Sequence, residues 1–237
     1  SVITTILLYT LSQTILLSGF TKLESEMLFS STQRVLNTVQ QELATFSATT
    51  ADWAYWDDTY EFLDGKNPSF VENNFTEETF SYLHLNMVLI VDSEDRLVYS
   101  EFYSAETGFI PSPVRLDAAT IASLLSGDVE LRASAAGIVE IDGMLFLVAS
   151  RHILDSRLSA AARGSLVFGR YLDESKLDNL SQTLKTSLSL WPISSPGIMS
   201  VANTLQQEQG SGGQGVLVRQ LSSTEMASYS FLNDITG

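Results

Sequence analysis

The first fifty residues contain no proline and a single glycine, Gly19, so a helix begun there meets nothing that would stop it. Two patterns share that stretch. Ser1 to Thr21 carries no charge, and Val2, Ile3, Ile6, Leu7, Leu8, Leu11, Ile15, Leu16, Leu17 and Phe20 give it an apolar body of membrane-spanning length. Thr4, Thr5, Thr10, Ser12, Gln13, Thr14 and Ser18 dilute it. A signal-peptide core and a buried helix are the alternatives to the reading we favour, a truncated transmembrane helix over 1–21. From Lys22 to Thr50 the pattern becomes amphipathic, with Leu28, Val35, Val39, Leu43 and Phe46 separated by charged and amide residues. The spacing predicts a long helix over 22–50 that continues the span without a break. A helix that packs only on its own domain would show the same spacing.

The remaining residues, 51–237, are expected to form one extracytoplasmic domain. With 237 residues, 44% hydrophobic and 17% charged, the chain can bury a core, which excludes disorder over most of its length. Thirteen Lys and Arg against 28 Asp and Glu leave a net charge of −15, which repels nucleic acid. The charge is uneven: residues 51–110 hold thirteen acids and two bases. That quarter is either a solvated acidic face or a surface for cationic ligands and basic partners.

Within it, Asp52-Trp53-Ala54-Tyr55-Trp56-Asp57-Asp58-Thr59-Tyr60-Glu61-Phe62-Leu63 packs five aromatics and four acids into twelve positions. Read as one helix, it places Trp53, Trp56, Tyr60 and Leu63 on one face. The rings either pack the helix onto a sheet while the acids cap it, or line a pocket for an amine through cation–π contact and ion pairing.

This run resembles the signature of the class 4 CHASE sensory domains, modules of bacterial and archaeal transmembrane receptors. Further matches follow in order: Asn74-Phe75-Thr76, Asn86-Met87-Val88-Leu89-Ile90-Val91-Asp92, Ala149-Ser150-Arg151, and the segment from Arg163 to Asp173. The similarity covers roughly Lys22 to Leu184. Two positions depart from it: Asp95 stands where a turn glycine is usual, and His152 where proline follows the arginine. The resemblance implies a PAS-like sensor coupled to cyclic di-GMP enzymes or a histidine kinase, anchored in the cytoplasmic membrane, with its sensor outside.

The residues predict a compatible α+β fold, a long N-terminal helix followed by a PAS/Cache-like antiparallel sheet with flanking helices. Met87–Val91 and Leu97–Tyr99 flank the polar turn 93–96, and Asp142-Gly143 joins 137–141 to 144–149 as a tight hairpin. Leu116–Leu125 reads as a helix, Ser165–Tyr171 as a strand, Asp173–Leu184 as a helix and Ser187–Trp191 as a further strand. The Gly-rich run 209–215 reads as a loop before the strand-like Val216-Leu217-Val218, and Ser228–Leu232 as a last strand leading to a second span.

Catalysis is not expected. Adjacent Asp57 and Asp58 point about 100° apart on a helix, no Gly-x-Ser-x-Gly elbow accompanies His84 or His152, and no cysteine is available. Neither a metal site nor a cofactor is indicated. The candidate ligand-binding residues are Trp53, Trp56, Asp57, Asp58 and Tyr60, opposed by Arg151, which would hold a ligand carboxylate or neutralise Asp57. The expected partner is an amine or amino-acid-like small molecule, with a periplasmic protein bound through the acidic surface as the alternative. A homodimer is expected.

Overall fold

The structure, a computed structural model, describes residues 2–125, 134–193, 195–210, 215–222, 225–232 and 234–235, with the backbone alone for 2–18, 134, 209 and 210. The first element, α1 (Val2–Ala54), is continuous over 53 residues. Among the described residues no helix is long and apolar enough to cross a membrane. The candidate span at 1–21 lies, except for its last three residues, outside those whose side chains are described.

Three short helices follow, α2 (Asp57–Leu63), α3 (Phe70–Asn74) and α4 (Glu77–Leu83), then β1 (Met87–Asp92), β2 (Leu97–Ser104), β3 (Gly108–Ile110) and α5 (Ala118–Leu125). The chain continues through β4 (Ser134–Ile141), β5 (Met144–His152), β6 (Gly164–Tyr171), α6 (Glu174–Leu184), α7 (Met199–Gly210), β7 (Val216–Gln220) and β8 (Met226–Ser230). The first six strands form an antiparallel sheet in the order β3-β2-β1-β6-β5-β4. The expected hairpins are present. At the turn joining β4 to β5, Asp142 and Gly143 both have positive φ, 48° and 80°, as a two-residue turn matching strand twist requires.

The contacts divide the chain into two units, one of residues 39–179 and 233–237 and one of 1–38 and 180–232. The first holds the sheet. Its strands β1, β5 and β6 are buried on both faces, so residues of alternate parity enter two cores. Val88, Ile90, Leu147, Ala149, Leu166 and Phe168 join Phe46, Ala54, Phe70, Phe75 and Phe80 from the helices preceding the sheet. Met87, Leu89, Phe146, Val148 and Val167 join Leu124 of α5 on the opposite face. Helices therefore cover both faces. Residues 234–235 pass so close to β4 that a Cβ on Gly137 would lie 2.5 Å from the Ile235 nitrogen, which is why glycine stands there.

The second unit pairs β7 with β8 beside α7, around Val201, Leu205 and Leu217. Within it the Thr32 and Ser228 hydroxyls meet at 2.6 Å. Residues 180–232 thus group with the N-terminal part of α1, where the sequence suggested a single domain over 51–237. Ser187–Trp191, expected as a strand, is irregular; the Leu188 amide donates to Ser181 Oγ (3.1 Å) instead of to a neighbouring strand. Of the Gly-rich loop, residues 211–214 lie outside the described residues.

Candidate functional site

The Trp–Asp run is two helices and a break between them, not one helix. The last α1 hydrogen bonds reach Tyr55, whose amide donates to Ala51 O (2.9 Å), and Trp56 is extended at φ −81°, ψ 134°. The carbonyls that further helix would have used are taken by other groups. Thr59 Oγ1 donates to Trp53 O (2.7 Å) and the Leu154 amide to Ala54 O (3.2 Å). A buried threonine and a loop amide therefore end α1 where periodicity alone carries it on to Leu63.

The break folds Trp56 back against Trp53, edge to face at 5.8 Å. Trp53 stacks on Phe75 (5.3 Å, 22°) and meets Phe168 of β6 edge-on at 6.0 Å. Trp56 leans on Phe70 at 6.0 Å and remains 41% exposed. The aromatic half of the motif is chiefly core, with one ring left partly open.

The acidic half fastens α2 to the connection between β5 and β6. Asp57 accepts from the Ser156 amide (2.8 Å) and hydroxyl (2.9 Å), and these bonds hold its carboxyl below the usual range. Asp58 accepts from Asn67 Nδ2 at 3.3 Å. Tyr60 donates its hydroxyl to Ala161 O (3.3 Å), and the Arg163 guanidinium lies 3.8 Å over its ring. Arg163 also donates to Tyr60 O (3.1 Å) and pairs with Asp64 at 3.2 Å. Lys66 binds Asp64 too, and lowers that carboxyl more than Arg163 does.

Arg151 does not oppose these acids by hydrogen bond or ion pair. From β5 its Nε and Nη2 donate to Ser47 O (3.3 Å) and Oγ (2.9 Å) on α1. Arg170, one strand over on β6, lies 4.2 Å over the Phe46 ring and donates to Leu83 O at the end of α4 (2.8 Å). Its Nε is buried without a partner, and burial lowers the pKa of its guanidinium. Two arginines thus bind consecutive residues of α1 to the sheet. The sequence reading missed Arg163, Ser156 and Arg170 as partners, because they lie about a hundred residues from what they hold. Arg163 and Arg170 do lie in the last stretch that carried the family resemblance.

A long helix running into an antiparallel sheet flanked by helices is the architecture of a receptor's sensory domain. The match to the CHASE4 domain over residues 38–191 shows that the chain belongs to that family of sensory domains. The chain is similar to the methanogenesis regulatory histidine kinase FilI of Methanothrix harundinacea (strain 6Ac), 29% identical over 145 residues. That match covers 61% of this chain and spans about a sixth of the kinase, 16%. Its fold is similar to that of a domain from a Vibrio parahaemolyticus protein described as of the sensory box/GGDEF family (TM-score 0.56, 13% identity, 87% of this chain and 95% of that one). The periplasmic domain of Vibrio cholerae LuxQ also matches, at TM-score 0.43 and 12% identity over 87% of this chain and 99% of that one.

Proposed function

We propose that this chain is the extracytoplasmic sensing part of a membrane-anchored homodimeric receptor, and that it senses a small organic cation. The observation supporting that ligand class is the lack of internal compensation in residues 51–110. The two bases there are already engaged, Lys66 with Asp64 and Arg96 with Asp92 and Glu94, while thirteen acids share the segment. An acidic surface rich in rings attracts an amine by field and holds it by cation–π contact and ion pairing.

In this reading Trp53, Trp56, Asp57, Asp58, Tyr60 and Arg151 build the frame around the site, with Trp56 as the ring most open to a ligand. Binding that favours one arrangement of the helices biases α1, and α1 passes the bias to an output domain. The relatives suggest a histidine kinase, or an enzyme of cyclic di-GMP metabolism, as that output.

Calorimetry and thermal shift on the chain test the ligand class, with cadaverine, spermidine and arginine against glutarate. Amines should bind and raise the midpoint where glutarate does not. If no amine binds while a basic protein associates in a salt-sensitive way, the acidic surface serves a protein partner and the small-cation reading fails.

A further inference from the structure

We infer that the cation is held in the open cavity between the α3–α4 segment and the outer strands β2 and β3, and that the ligand is an organic amine with a flexible apolar body. The inference rests on the reading that this domain senses a cation, and gives that cation a place away from the acids of the Trp–Asp motif.

The cavity has a volume of about 470 Å³, within the range of small-molecule sites. Three rings form its apolar wall: Phe75, Tyr99 and Phe109. They are held from behind. Tyr99 stacks on Phe75 (5.7 Å, 17°), which stacks on Trp53. Phe109 packs edge-on to Phe80 at 5.4 Å. Trp53, the first ring of the signature, thus supports the cavity through Phe75 without lining it.

The polar lining has one sign. Glu72, Glu77, Glu78 and Glu101 supply carboxylates, and no Lys, Arg or His lines the cavity. Glu101 is the informative one, because strand alternation places it on the row of β2 that carries Tyr99 and Tyr103 into the aromatic core. A half-buried carboxylate among rings is costly unless something answers it. Among the described residues the carboxylates of Glu101, Glu72 and Glu77 make no hydrogen bond or ion pair. Burial raises the Tyr99 phenol pKa, and the Glu101 charge raises it further. Glu78, by contrast, is satisfied by its own amide and by Thr76.

The spread of these acids selects the kind of cation. Among the described residues no three His, Asp or Glu side chains converge well enough to hold a metal ion. Carboxylates dispersed around a ring-lined wall suit separated ammonium groups joined by methylenes, the chain lying against Phe75 and Tyr99.

The test is calorimetry with cadaverine and spermidine on the parent, Glu101→Gln, Glu72→Gln and, as a control before α5 on the opposite face of the sheet, Asp117→Asn. Glu72 is exposed, so its variant keeps the test decisive if Glu101→Gln fails to fold. Each cavity variant should bind about tenfold more weakly, and Asp117→Asn should bind as the parent does. Amine binding that survives both cavity substitutions, or that falls as far in folded Asp117→Asn, overturns the cavity and leaves the cation reading standing. Absence of amine binding to the parent overturns both.

Discussion

The two faces of the six-stranded sheet carry the same strands but different chemistry. On one, Val88, Ile90 and Phe168 lie in a core with Phe46, Phe70, Phe75 and Phe80, and that core reaches α1 and the cavity. On the other, a mainly aliphatic set, Met87, Leu89, Val148 and Val167 with the rings of Phe102 and Phe146, meets Leu124 of α5. Flat rings stacked in series transmit a displacement from one to the next, because each has few ways to repack. Branched aliphatic side chains fill volume. The aromatic face is therefore the one suited to linking a bound ligand to α1, and the aliphatic face the one that keeps the sheet whole.

Phe75→Ala should break that contrast most strongly. Phe75 touches Trp53, Phe70, Phe80, Tyr99 and Phe168, and its truncation should cost about 3–5 kcal/mol in urea unfolding and abolish amine binding. On the other face, Leu124→Ala should cost about 3 kcal/mol by the same measurement and leave amine affinity within twofold of the parent. Equal loss of affinity in folded samples of both variants would remove the functional distinction between the faces.

Thr59→Val keeps the shape at the break in the Trp–Asp run and deletes the hydroxyl bound to Trp53 O. It should cost about 1–2 kcal/mol, and hydrogen exchange should rise at the end of α1 before it rises in the sheet. Arg170→Met removes the link from α4 to α1. It should change stability by less than about 1.5 kcal/mol, since a half-buried arginine whose buried Nε is unsatisfied contributes little net, while uncoupling amine binding from exchange protection around Phe46.

The smallest effect concerns pH. Asp57 is depressed below its ordinary 3.8, so the stability it contributes is complete above that value and is lost as pH falls through the folded-state value. Parent and Asp57→Asn should differ in melting midpoint at pH 6, and the difference should shrink as pH falls below 3.8 and vanish below the folded-state value. A difference that persists at lower pH would mean that the Ser156 contacts do not depend on the ionised carboxylate.

Much of the sheet was legible because its signals are local. Asp142-Gly143 names a turn by the backbone angles it tolerates, and Met87–Val91 is a buried strand by its apolar run. The break at Trp56 was not legible, since residues 52–63 have helical periodicity throughout and the groups that end α1, Thr59 Oγ1 and the Leu154 amide, act through tertiary contact. Ser187–Trp191 has strand-like residues but no described ladder partner. Five of the six proposed site residues were recognisable as a cluster of rings and acids, to which Arg151 was added from a later strand. Their partners were not: Asp57 meets Ser156, Arg151 meets Ser47, and Tyr60 meets Arg163.

The sequence by itself determined the long helix, the hairpins, the acidic quarter and the family, because period, turn chemistry and charge are properties of neighbouring residues. Only the tertiary structure decided where α1 ends, which acids are satisfied and which face a cavity unpaired. Those outcomes depend on groups from six to about a hundred residues apart meeting the same carbonyls and carboxylates, and the distant ones meet them only once the sheet has brought them together.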